Sequence, residues 1–166
     1  MTKVGNHKIR ASNVRLATQA TSRPSSSRAI GRRLAEPDIG RRVRPADPDR
    51  GVRRYRLLLA TARSRVLLHG DLHLGNVLDG GPARGLVAID PRACAGDRCF
   101  DGVDYALDGA GLDGVGSRCA ALAPAAGLDP DRLYAWCCAV APIIAISRIG
   151  HPGKEQAVAE LLTLAR

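Results

Sequence analysis

The densest chemistry in the chain lies in eight consecutive residues, His69-Gly70-Asp71-Leu72-His73-Leu74-Gly75-Asn76, followed fourteen positions later by Asp90 at the end of an apolar run. Asp71, Asn76 and Asp90 all present hard oxygen atoms. A carboxylate and an amide oxygen held side by side suit Mg2+, which takes few protein ligands and shares itself with substrate phosphates. A further carboxylate, Asp71, sits on the intervening loop, where it is positioned to accept a proton from an attacking hydroxyl. The reaction indicated is phosphoryl transfer, in which the protein supplies positioning and charge. His69 and His73 would share a face only on a helix, and Gly70 argues against one, so zinc is not expected.

The elements that must position these groups follow from the flanking pattern. Arg65 to His69 is short, leucine-rich and stopped by Gly70, which predicts a buried strand. Val77-Leu78 and Leu86 to Ile89 predict a β-hairpin around Gly80 to Pro82. With the tip near Ala83, Asn76 and Asp90 are each seven residues from it and are expected side by side at the open end. Upstream, Asp49 to Ser64 reads as a basic amphipathic helix with Val52, Tyr55, Leu58, Leu59 and Ala62 on one face. Downstream of Asp90 the chain reads as helices and loops. Asp129 followed by Pro130 is a strong helix start leading into 132–149, with Pro142 expected to kink or split it. Lys154 to Ala165 is a second clear helix.

With 166 residues the chain has room for about one ordinary domain. Aromatic residues are only 3%, so the core is expected to be Leu, Val, Ile and Ala. The net charge of +9 is unevenly spread: residues 1–65 carry 17 Lys and Arg against 4 acids, whereas residues 66–166 carry 8 against 12. The basicity therefore belongs to one half. Residues 1–47 are Ser-, Pro- and Arg-rich with few large apolar side chains and are expected to be a basic, irregular or disordered tail, with order starting near Pro48. The absence of acids before Glu36 would also suit a transit peptide, whereas no apolar run suggests a secretory signal. The five cysteines form no CxxC pair and read as reduced thiols, which points to a cytoplasmic protein. The longest apolar run, Leu133 to Ile146, falls short of the ~20 residues needed to cross a bilayer.

At the 69–76 stretch the sequence resembles the catalytic loop of the aminoglycoside phosphotransferases, and residues 48–166 resemble the C-terminal lobe of the streptomycin and hydroxyurea kinase branch. The resemblance is carried by Leu67 to His73, Gly75 to Leu78, Ala88 to Pro91, Gly96-Asp97 with Phe100-Asp101, and Asp131 to Leu133 with Ala135-Trp136. It implies an α+β fold, mostly helical with a small hairpin at the catalytic loop. It implies that Asp71 is the catalytic base, that Asn76 and Asp90 bind Mg2+ and thereby ATP, and that His69 supports the loop. The substrate implied is a small-molecule hydroxyl, with a cationic aminoglycoside fitting the acidic half. Asp97 and Asp101 are expected to fix the lobe, and Asp104 and Asp108 to form a solvated face. Arg92 stands where close relatives are expected to have lysine.

The resemblance leaves the nucleotide-covering lobe unplaced. Residues 1–50 hold no Gly-rich loop, two lysines (Lys3, Lys8) and one glutamate (Glu36), so the chain is expected to be a truncated phosphotransferase with its N-terminal lobe missing, weak or inactive. Two alternatives use other features. Gly70 to His73 could begin a metallophosphoesterase site, which needs further metal-binding blocks of which only Gly96-Asp97 is partly present. Arg32-Arg33, Arg41-Arg42 and Arg53-Arg54, within residues 1–65, could instead make an unspecific nucleic-acid-binding arm on an inert lobe.

Overall fold

A computed structural model describes residues 2–3, 31–44, 46–108 and 114–166. The fold is α+β and mostly helical, with small antiparallel sheets. In chain order the elements are β1 (Thr2–Lys3), α1 (Pro37–Arg42), α2 (Ala46–Ala60), β2 (Val66–Leu68), β3 (Val77–Asp79), β4 (Leu86–Ala88), β5 (Cys94–Gly96), α3 (Val103–Asp108), α4 (Gly114–Ala126), α5 (Pro130–Arg148) and α6 (Glu155–Leu164). Single 3-10 turns occupy Leu74–Asn76 and Arg98–Gly102. One three-stranded sheet has the order β1-β3-β4, and β2 pairs with β5 in a second. The chain divides into two compact units. One comprises β1 and the stretch from Ala62 to Leu133; the other comprises α1, α2 and the stretch from Tyr134 onward.

In the unit that begins at Ala62, Phe100, Cys99, Val103, Leu107, Val115 and Cys119 are buried. Asp129 starts α5 as expected, its Oδ1 accepting the N–H groups of Asp131 and Arg132 at 3.0 and 3.1 Å. Asp97 caps the Arg98–Gly102 turn through the Cys99 N–H (3.0 Å) and pairs with Arg132, so it fixes this unit, as anticipated. Burial pushes the Tyr105 phenol up, and the neighbouring Asp104 carboxylate adds to that.

The strand expected over 65–69 is present, but only Leu68 is buried; Leu67 is 81% exposed and Val66 38%. Its partner β5 was not anticipated, because three residues of Cys-Ala-Gly show neither alternation nor β-branching. The expected hairpin also forms, with a different register. Val77 pairs with Ala88 and Asp79 with Leu86, so Asn76 stands opposite Ile89, whose N–H reaches the Asn76 carbonyl at 2.9 Å, and not opposite Asp90. The reason lies in the loop. It contains the six residues 80–85, closed by a Gly80 N–H to Gly85 carbonyl bond of 2.7 Å, and an even count puts the midpoint between two residues instead of on Ala83.

In the other unit, helical structure begins before the expected start at Pro48. Helix α1 follows Glu36 with Pro37 at its first position, and Ile39 and Val43 are each 1% exposed. Two well-placed branched residues bury a face that composition alone hid. The expectations of a disordered tail and a transit peptide otherwise fall on residues 1 and 4–30, outside the described residues. Helix α2 starts at Ala46, three residues before the expected Asp49, and buries Gly51, Tyr55 and Leu58. Helix α5 continues through Pro142 without splitting. Trp136 is fully buried and meets the Tyr55 ring edge-on at 5.0 Å, so the aliphatic core expected from composition has an aromatic centre here. Helix α6 buries Val158, Leu161 and Leu162, each contributing about 1.5–3 kcal/mol.

Part of the basic half is used internally. Arg44 and Arg50 pair with buried Asp47, Arg33 with Glu36 and Arg41 with Asp38. Arg54 also donates to the Leu164 carbonyl at the end of α6, and Arg50 to the Ala165 and Arg166 carbonyls just beyond it. These bonds compete with the nucleic-acid-arm alternative. Among the described residues no helix is long and apolar enough to cross a membrane. None of the five cysteines is in a disulfide.

Candidate active site

The site is built on the chain leaving β2. The Asp101 carboxylate accepts the backbone N–H of His69 at 2.8 Å and of Gly70 at 2.9 Å, two charge-assisted bonds across 32 and 31 residues that fix the start of the loop. The His69 carbonyl in turn accepts the N–H of Arg92 (2.7 Å) and of Ala93 (3.2 Å). The His69 ring lies 2.9 Å from the Ile89 carbonyl through Nε2, and because a carbonyl only accepts, Nε2 is the protonated nitrogen. His69 thus ties the loop to the end of the hairpin. Gly70 has φ +77°, and a Cβ there would stand 2.9 Å from Cys94 Sγ, so only glycine makes this turn without displacement.

Asp71 is 2% exposed. Its backbone carbonyl accepts the Asn76 side-chain amide at 2.8 Å and the His73 N–H at 3.1 Å, which brings Asp71 and Asn76 together. That bond occupies the Asn76 nitrogen and leaves Oδ1 as its remaining oxygen donor. The Asp71 carboxylate pairs with Arg92 Nε at 3.3 Å. His73 is a loop residue, as anticipated: its Nδ1 accepts the Gly75 N–H at 3.0 Å, closing the turn into Asn76.

Asp90 is placed differently. It is exposed, one position past the residue opposite Asn76, with φ 60°; Ala93 also has positive φ, 48°. Left-handed backbone at non-glycine residues costs on the order of 1–2 kcal/mol each, and two within four residues mark a segment held by its surroundings, here by the bonds to the His69 carbonyl. The structure therefore joins Asp71, Asn76 and His69 in one hydrogen-bonded loop and sets Asp90 at the end of the adjoining hairpin, out of register with Asn76.

Two partners were invisible in the sequence: Arg92 as the ion pair of Asp71, and the loop amides as the ligands of Asp101. Only the recurrence of Asp after Gly96 and Phe100 hinted at the second. Among the described residues no group of three or more His, Cys, Asp or Glu side chains could hold a metal ion, a group the two-metal phosphoesterase alternative needs. Asn76 and Asp90 each supply hard oxygen atoms, the donor type that suits Mg2+, Ca2+ or Mn2+ over softer metals.

A profile of the aminoglycoside/hydroxyurea antibiotic resistance kinases matches residues 40–148. The chain is 39% identical over 95 residues to a hydroxyurea phosphotransferase of Kitasatospora aureofaciens, covering 53% of this chain and 28% of that one. It is 41% identical over 91 residues to a streptomycin 3''-kinase of Klebsiella pneumoniae, covering 49% of this chain and 34% of that one. The match thus spans about a third of the length of these curated relatives. No solved structure matches the chain. With a profile match covering most of its length, the chain belongs to the aminoglycoside/hydroxyurea antibiotic resistance kinase family, a family of phosphotransferases.

Proposed function

We propose that residues 48–166 are a kinase-like C-terminal lobe that carries the catalytic loop for moving the ATP γ-phosphoryl group to a hydroxyl of an aminoglycoside-like small molecule. The observation that carries this reading is the Asp71 carboxylate, buried on a loop whose two flanking anchor points are fixed by Asp101 and Asn76. Asp71 orients the acceptor hydroxyl and takes its proton as the oxygen bonds to phosphorus and the bond to the ADP oxygen breaks. Arg92 holds the Asp71 carboxylate in place. Asn76, through Oδ1, and Asp90 would hold Mg2+. Bound there, the ion neutralises charge on the ATP phosphates. His69 keeps the loop joined to the hairpin. The excess of acids in residues 66–166 favours a cationic acceptor.

Whatever residual ADP release the full chain gives with Mg-ATP and a panel of hydroxylated aminoglycosides should fall at least about a hundredfold on Asp71→Asn, with far-UV circular dichroism unchanged. Activity within twofold of wild type removes Asp71 from its role. Independently of turnover, Mn2+ used as a paramagnetic probe should broaden the Asn76 side-chain amide resonances; sharp resonances at saturating Mn2+ remove Asn76 from the metal site.

A further inference from the structure

We propose that the turn joining α5 to α6 forms a binding site for a phosphate-sized oxyanion, built by Arg42, Arg148, His151 and Lys154 around the first turn of α6. A cavity of about 240 Å3 lies here, floored by Ile149 and Val158. That is below the roughly 300–1,000 Å3 typical of sites for drug-sized ligands, so it fits a phosphate group or a small phosphate monoester better than a nucleotide.

The charge around the cavity is one-sided. Arg42, Arg148 and Lys154 line it together with His151, against the single acid Glu155. Neighbouring arginines of the same unit have acidic partners: Arg33 with Glu36, Arg41 with Asp38, and Arg44 and Arg50 with Asp47. Among the described residues neither Arg42 nor Lys154 forms an ion pair, with Glu155 or with any other acid. Arg148 is 6% exposed, so its guanidinium is held in the wall instead of extending into solvent. A planar fork in that setting is the preferred donor for phosphate oxygens.

The ordinary explanation for cations beside a helix end is that they cap its carbonyls. Here Arg33 already serves that role, its Nη2 donating to the Ile146 and Ile149 carbonyls at 3.1 and 3.3 Å. At the other side of the turn, Lys154 is the N-cap of the ten-residue α6, and its side chain accepts nothing from the first-turn amides. An ammonium cannot cap them, whereas an oxyanion among these cations can.

The test is titration of the full chain with inorganic phosphate and, separately, glycerol 3-phosphate, against chloride at equal ionic strength, followed by calorimetry and by amide chemical shifts. The expected result is saturable binding of at least one of the two, with the largest shifts at His151 to Ala157. Arg42→Gln with Lys154→Gln, both at solvent-accessible positions, should weaken it at least tenfold without altering the circular dichroism spectrum. Arg148→Met should abolish it, and Asp71→Asn should leave it unchanged, which separates this site from the catalytic loop. Binding of only the monoester identifies a phosphorylated small molecule as the ligand, and binding of both identifies the oxyanion itself. Chloride-like behaviour of both probes, shifts confined to other residues, or unchanged affinity in the Arg42/Lys154 variant overturns the proposal.

Discussion

Replacing Asp101 with alanine removes both acceptors that hold the His69 and Gly70 amides, and its cost can be worked from the geometry. Each bond joins a neutral N–H to a carboxylate, at 2.8 and 2.9 Å. Such bonds contribute roughly 1.5–3 kcal/mol each when buried. Asp101 is half-buried, so water replaces part of what is lost, and the expected destabilisation is about 2–3 kcal/mol. For a chain of this size that lowers Tm by roughly 4–12 °C. Urea unfolding followed by circular dichroism reads the global cost. Amide hydrogen exchange reads the local one: protection at His69 and Gly70 should fall further than protection in α6. Asp101→Asn keeps one acceptor and should cost less. A stability within 0.5 kcal/mol of wild type for the alanine variant, together with unaltered protection at both amides, refutes the clamp.

Gly70→Ala places a methyl group 2.9 Å from Cys94 Sγ at a φ of +77°, so it should destabilise by about 1–3 kcal/mol; adding Cys94→Ala should recover the contact part but not the backbone part, as thermal unfolding of the double variant shows. Gly51→Ala, which in an open helix would gain about 1 kcal/mol, should instead lower Tm by roughly 2–6 °C, because its Cβ would stand 2.7 Å from the Ala139 carbonyl and 3.1 Å from Pro142. A Tm equal to or above wild type contradicts that close approach. Burial first, and the Asp101 carboxylate second, push the Cys94 thiol above its ordinary value. A raised value means less thiolate at a given pH, so alkylation of Cys94 by iodoacetamide, followed by mass spectrometry, should be slower at pH 8 than for an exposed thiol and should rise at higher pH than usual. A rate matching that of a small-molecule thiol at pH 8 contradicts it.

The parts of the molecule legible in the sequence are those set by local chemistry. Asp129-Pro130 fixed the start of α5, the spacing of Val158, Leu161 and Leu162 fixed α6, and the run from His69 to Asn76 announced its loop. What could not be read depends on partners far along the chain. Strand β5 exists because β2 lies beside it, and the Asp101 clamp and the Arg92 pair span 21–32 residues. The hairpin shows how narrow the margin is. Its strands were correctly located, yet one residue of loop parity moved Asp90 out of line with Asn76. Helix α1 illustrates the opposite error, in which average composition concealed two residues, Ile39 and Val43, placed to bury one face.

The chain has one tryptophan, and it lies in the unit that does not contain the 69–76 loop. Its indole, sealed from water and set edge-on to Tyr55, makes tryptophan emission, excited where tyrosine does not absorb, a private signal of that unit. Far-ultraviolet ellipticity, by contrast, sums over both. Melting curves recorded by the two optical methods coincide if the halves unfold as one cooperative body, and separate if either can open alone.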